Sequence, residues 1–283
     1  MSLIWEKVKI EYEIKHPPDF VTHLNYVSCL NKISEGLSIG CNINFKKRLK
    51  HDNQLAKKLT LIELTRKNLE EEYKVISTNP DYAEICVPWV SVKAYYLLFN
   101  LLLIIKYLLS GDSTSFISSH QKMLKDLKEY IKKKTICFNN DLVNEVHKAK
   151  DIQKIRFVSG CNVKIIDIDL NQRFQQILKK LLTYKIEDFQ RKNHITNFKT
   201  KKDRAERDKF IEASDINICE FFYWYRVKAN YRDLEFLDKK IGSHQFKNFY
   251  DNYYGLTINF YKALKNLINE LSIKRLGKEI LSV

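Results

Sequence analysis

The residues with the clearest chemical potential lie in one short stretch, Tyr225-Arg226-Val227-Lys228-Ala229-Asn230-Tyr231-Arg232-Asp233. On a helix Arg226, Asn230 and Asp233 fall at i, i+4 and i+7 and share a face, with Tyr231 well round from it. A guanidinium is a planar fork suited to bidentate contact with a phosphate, a geometry that Lys does not reproduce. The same three side chains could instead bond to one another along the helix, because a polar stripe among aromatics needs partners whether or not it meets a substrate. Tyr231, whose unperturbed pKa is about 10, is a poor base at neutral pH; it suits donation, stacking or core packing. Arg232 could reach a phosphate, or pair with Glu235 or Asp233 at the surface. Two histidines stand near this stretch or near a helix start. His120, after Ser118-Ser119, opens a predicted helix, where the positive end of the dipole lowers an imidazole's pKa and can hold a phosphate. Capping by Ser118 to His120 explains it equally well. His244, beyond Gly242, reads as a surface loop residue.

Other chemistries lack their signatures. There is no Gly-rich phosphate loop, HExxH, GxSxG, or HxE with PCxxC. The six cysteines, Cys29, Cys41, Cys86, Cys137, Cys161 and Cys219, form no CxxC pair and no regular spacing, so neither a zinc site nor a disulfide framework is expected. No metal and no cofactor is expected.

The elements that must position these residues are mostly helices. Only 7 Gly and 4 Pro occur in 283 residues, too little punctuation for a sheet protein with many tight turns. Residues 1–52 read as an N-terminal extension, broken by Pro17-Pro18, with a possible strand at Val8–Ile14. Residues 53–135 hold an amphipathic helix over Asn53–Ile76, an almost wholly apolar helix from about Pro88 to Leu109, and a further helix over Gln121–Lys134. Residues 136–204 read as an insertion, with a turn at Val158–Asn162, a short strand at Val163–Ile168 and a helix over Gln172–Gln190. Its charged tract Lys199–Lys209 is a solvated linker or a helix start. Residues 205–283 carry the aromatic run Phe221–Tyr225 and a second apolar stripe, Tyr253, Leu256, Phe260, Leu264, Leu267 and Leu271, which predicts two adjacent antiparallel helices.

Composition bounds the rest. With 45% hydrophobic residues the chain can bury a substantial core without metals or disulfides. The net charge of +15 favours encounters with polyanions, although a Lys-, Asn- and Ile-rich composition also arises from an AT-rich genome. The start, MSLIWEKVKIEYE, lacks a secretory pattern, and the run Val90–Leu109 is interrupted by Lys93, Asn100 and Lys106. A cytoplasmic protein without a membrane partner is expected.

Two blocks of sequence, AYYLLFNLLLIIKYLL (Ala94 to Leu109) with SSHQKML (Ser118 to Leu124), and YRVKANYRDLEFL (Tyr225 to Leu237) with the long final helix, resemble the HEPN superfamily. The resemblance covers about half of the chain. It implies an all-α antiparallel bundle, here with an N-terminal extension and an insertion, and a homodimer of the kind found in toxin-antitoxin, phage-defence or RNA-processing systems, with an antitoxin or defence-system protein as a possible partner. It also implies metal-independent endoribonuclease chemistry at a dimer cleft, through an Arg-x4-6-His motif. Here Arg226 and Asn230 match, but Tyr231 stands at the His position. Carried over, Arg226, Asn230 and Tyr231 are the catalytic candidates, Arg232 and His120 the substrate-binding ones, and Asp233 a structural member of the stripe. Such cleavage needs a group to take the 2′-hydroxyl proton, a cation to hold the transition-state charge, and a donor for the leaving oxygen. The missing His leaves a second expectation beside the first, a non-catalytic RNA- or protein-binding module built on the same bundle.

Overall fold

The computed structural model describes residues 19–45, 47–49, 52–155, 169–231 and 242–281, without the side chains of residues 19, 230 and 231. The chain is mainly helical. The expected strands at Val8–Ile14 and Val163–Ile168, and the turn at Val158–Asn162, lie outside these residues. Two compact units are distinguished: one holds the described parts of 31–146, 217–233 and 239–283, the other those of 1–30 and 147–216.

The larger unit is organised by α3 (Tyr82–Ser110), which packs most extensively on α10 (Ser243–Leu276), then on α2 (Asn53–Thr78) and α9 (Glu220–Tyr231). Asp52 starts α2 by accepting from the Gln54 N–H at 2.7 Å. Along α2 only Leu55, Ile62, Leu69 and Ile76 are buried, one residue every seven, so this helix offers its neighbours a narrow seam. Arg66, ion-paired with Glu63 and Glu70, lies on its polar side. Asn79-Pro80-Asp81 then turns the chain into α3.

α3 is apolar almost all round because it is central: Val90, Ala94, Leu97, Leu101 and Ile104 are fully buried. By length and composition it could cross a membrane, and most of its apolar window is buried in the protein. It begins at Tyr82, earlier than the Pro88 start expected, and carries Pro88 in its second turn. Of its interrupting polar residues, Asn100 is satisfied by the Tyr96 carbonyl and by Lys58, and Lys106 by Ser118 and Asp126.

A 3-10 turn (Ser113–Ile117) and then α4 (His120–Lys132) follow, with the Ser119 hydroxyl capping α4 through the Lys122 N–H. The short strands β1 (Ile39–Cys41) and β2 (Ile136–Phe138) pair antiparallel, Gly40 opposite Cys137. α5 (Asp141–Asn144) leads out of this unit.

The smaller unit contains the first part of α1 (Asp19–Ser34), β3 (His147–Lys148), α6 (Ala149–Lys154), α7 (Leu170–Lys192), α8 (Lys201–Glu212) and β4 (Asp215–Ile216). β3 pairs antiparallel with β4, His147 opposite Ile216. α7 buries Phe174, Ile177, Leu178, Leu181 and Leu182 on one stripe. The charged Lys199–Lys209 tract resolves as a helix because Thr200 caps it, accepting from the Asp203 N–H at 3.0 Å while donating to the Asp203 carboxylate. Phe210 also anchors it by stacking on Phe189, their centroids 4.4 Å apart.

The C-terminus of α3 is closely packed. Gly111 closes the helix in the left-handed region (φ 76°), its N–H bonded to the Tyr107 carbonyl at 2.7 Å. The buried Arg275 guanidinium bonds the Leu108 carbonyl at 2.9 Å and the Lys47 carbonyl at 2.7 Å, a cation set against a negative helix end. A Cβ on Gly111 would stand 2.8 Å from that guanidinium and 2.9 Å from Leu49. Gly111→Ala therefore meets both a backbone penalty and a clash, and is expected to lower stability by about 2 kcal/mol, read as a fall in the urea midpoint at unchanged m-value. An unaltered midpoint would show that neither constraint holds.

Candidate functional site

Arg226 and His120, far apart in sequence, come to one cluster of tyrosines in the larger unit. Three helices build it. α3 contributes Tyr95, Tyr96 and Phe99, α4 contributes His120 as its first residue, and α9 contributes Tyr223 and Arg226.

Contacts between residues distant in the sequence hold these helices together. Asn217 is buried; its amide donates to the Val143 and Glu145 carbonyls, both at 2.8 Å, while its carbonyl oxygen accepts from the Cys219 N–H. That pins the entry to α9. In the first turn of α9 the buried Glu220 takes an ion pair from Lys128 of α4 at 2.6 Å and a hydrogen bond from the Trp224 indole. Lys106 of α3 binds Ser118 and Asp126, both at 2.6 Å, tying α3 to the start of α4. Each pair of helices at the site is thus joined by a charge-assisted contact or by rings.

Arg226 is 8% exposed. Its guanidinium carbon lies 5.1 Å from the Tyr95 ring centroid, 5.4 Å from Tyr223 and 5.8 Å from Tyr96, and its Nη1 donates to the Tyr96 hydroxyl at 3.3 Å. Ring faces carry negative potential, and each such contact is worth on the order of 0.5–2 kcal/mol, more as water is excluded. They compensate in part for lost hydration. The compensation is incomplete, since the buried Nε has no hydrogen-bond partner among the described residues.

His120 stands against the same rings, its centroid 5.3 Å from Tyr95, 6.0 Å from Tyr96 and 6.4 Å from Tyr223, with Phe99 at 4.4 Å. Its Nδ1 is 2.7 Å from the Tyr95 hydroxyl. The ring is partly exposed, and Nε2 makes no hydrogen bond among the described residues. Burial, and then the positive charge of Arg226, hold the imidazole below its ordinary pKa, so it is neutral at physiological pH. Burial pushes the Tyr95 hydroxyl well above the usual phenol range. The arrangement offers a fixed cation, a neutral imidazole and phenol donors, a set suited to an oxyanion.

The other sequence-predicted residues divide as follows. The side chains of Asn230 and Tyr231, and the whole of Arg232 and Asp233, lie outside the described residues. His244 is exposed in the first turn of α10, a helix position where a loop was expected. The tyrosines were not singled out as site residues from the sequence, since Tyr95-Tyr96 and Tyr223 sit in aromatic runs that read as core. The one local signal is Tyr223, three residues before Arg226; Tyr95 lies 25 residues from His120 and Tyr96 130 residues from Arg226. Among the described residues no group of three or more His, Cys, Asp or Glu could hold a metal ion. The described cysteines are free, and burial raises the Cys219 thiol to about 12.

No known family model, curated protein or solved structure matches this chain.

The lowered His120 pKa has a sign. Between the ordinary imidazole value, about 6.5, and the lower folded value, the unfolded chain binds more protons than the folded one. His120 thus contributes stability that is present above the ordinary value and lost as pH falls through the folded one. Melting temperatures of wild type are expected to drop between pH 7 and pH 5 more steeply than those of His120→Gln; parallel curves would show that the imidazole is not perturbed.

Proposed function

We propose that this chain acts on RNA as a HEPN-like, metal-independent endoribonuclease in which Arg226 and His120 work as a pair. The observation that carries the reading is the convergence of the two on Tyr95, Tyr96 and Tyr223. In the resemblance read from sequence, Tyr231 occupies the position of the expected His; an imidazole supplied from α4 brings a hydrogen-bonding group to the phosphate from another element. Arg226 holds the charge that develops on the phosphorane oxygens, in a site where exclusion of water strengthens its field. His120, at the exposed edge of the cluster, contacts the phosphodiester. The net charge of +15 draws a polyanion to the surface.

The test is cleavage of labelled RNA by the purified chain in EDTA. Wild type is expected to leave 2′,3′-cyclic phosphate ends, and Arg226→Ala and His120→Ala to cut at least about a hundredfold more slowly. RNA left intact by wild type, or cut equally by both variants, overturns the reading.

The burial of Arg226 favours one second reading, a binding module without catalysis, in which the caged cation holds three helices together. RNA retained by the chain in a gel shift but not cut is the outcome specific to it.

The proposal includes a homodimer. Ile85, Trp89 and Tyr96 are exposed apolar or aromatic side chains at i, i+4 and i+11 on one face of α3, and the stripe runs into the site through Tyr96. Trp89→Asp is expected to convert a dimer to a monomer in light scattering. A wild-type monomer at tens of micromolar rules this surface out as the contact.

A further inference from the structure

The Tyr95–His120 hydrogen bond determines where the imidazole keeps its proton. The Tyr95 side chain is buried, which keeps its hydroxyl protonated, and that hydroxyl makes no other hydrogen bond among the described residues. If that hydroxyl accepted from Nδ1–H, its own buried proton would have no acceptor among the described residues; donation to Nδ1 at 2.7 Å satisfies it, so Nδ1 is the acceptor. A neutral imidazole accepting at Nδ1 carries its proton on Nε2, the nitrogen with no protein partner among the described residues. The groups facing His120 leave little room for the alternative. They are Tyr95, Tyr96 and Phe99 from α3 and Tyr223 and Arg226 from α9; the rings offer no base, and the guanidinium disfavours a second positive charge.

We infer that Tyr95 is a positioning residue that holds His120 as the Nε2–H tautomer, so that the site meets a phosphodiester with donors only. Nε2–H and the Arg226 guanidinium then bind non-bridging oxygens of one phosphate. In this form His120 holds and polarises the phosphate and does not take the 2′-hydroxyl proton, because no lone pair is free at Nε2; that proton passes to solvent hydroxide or water as the 2′-oxygen bonds to phosphorus, and water returns one to the departing 5′-oxygen. The inference rests on the proposed action on RNA for its substrate, but the tautomer itself is a property of the free protein. Adjacent helix positions serve both members of the pair: the Tyr95 hydroxyl sets the imidazole, while the Tyr96 hydroxyl receives the guanidinium.

The experiment is nitrogen NMR on the full chain with labelled histidine, above the His120 titration, with His120→Gln to assign the signals. Wild type is expected to show a pyridine-type Nδ1 and a pyrrole-type Nε2 for His120. Tyr95→Phe, which keeps a ring over Arg226, is expected to mix the two tautomers and to titrate at higher pH. A wild-type ring that already mixes tautomers as free imidazole does, or one protonated at Nδ1, overturns the inference, as does a Tyr95→Phe spectrum identical to wild type. The wild-type spectrum decides the tautomer even where Tyr95→Phe fails to fold. Addition of a non-cleavable dinucleoside phosphorothioate is expected to shift Nε2 and leave Nδ1 pyridine-type. The expected tautomer in a protein that cuts no RNA leaves the inference standing and removes the ribonuclease; RNA cut by a protein with the other tautomer does the reverse.

Discussion

A guanidinium taken out of water must find its compensation inside the protein, and the larger unit is arranged around meeting that demand for Arg226. An isolated buried cation is among the most unfavourable groups a fold can hold. Here three phenol rings and one hydroxyl surround it, drawn from α3 and from its own helix. Tyr95 and Tyr96 come from the central helix, which packs against α10 and α2; Tyr95 is buried and Tyr96 lies at the exposed edge. His120 inherits its position from the same rings, and the ties Lys106–Asp126 and Lys128–Glu220 keep α4 from sliding away.

The same burial sets what the cluster can do. Burial of the His120 ring, and then the field of a cation held behind aromatic walls, lower its pKa together. Access then falls to the edge of the cluster, where His120 is partly exposed and Tyr96 is 38% exposed. The buried Arg226 Nε, without a partner among the described residues, is a standing penalty that the ring contacts offset only in part.

The helices were legible because their burial is periodic. The stripe Leu55, Ile62, Leu69 and Ile76, and the apolar face of α10, follow from spacing alone. α3 was legible from its apolar run, but its start was not: Pro88 looks like a helix beginning, whereas the chain enters the helix at Tyr82 and tolerates the missing N–H in the second turn. The charged tract after Lys199 is helical for a reason carried by two residues, the Thr200–Asp203 cap, whose signal is easily lost in a run of lysines. The site was legible only in its separate pieces. Arg226 and His120 each stand out by chemistry, but nothing local says that α4 begins beside α9; that follows from Asn217 reaching the Val143 and Glu145 carbonyls and from Lys128 meeting Glu220. Long-range pairings of this kind leave no periodic trace. The expected partners of Arg226 on its own helix, Asn230 and Asp233, fall beyond the described side chains.

Tyrosine, where phenylalanine would supply the same ring, is the remaining clue in the pair Tyr95-Tyr96. Both rings stand against Arg226 and His120, but their hydroxyls go to different partners. One is directed into the core, at 3% exposure, and reaches His120; the other lies at the surface edge and receives Arg226. A cation–π cage alone needs neither hydroxyl. Burying a phenol hydroxyl without a partner is unfavourable, as at Tyr253, whose hydroxyl has none among the described residues. At Tyr95 and Tyr96 the hydroxyls instead have two different charge-handling partners, which makes the pair the hinge between the packing of α3 and the chemistry of the site.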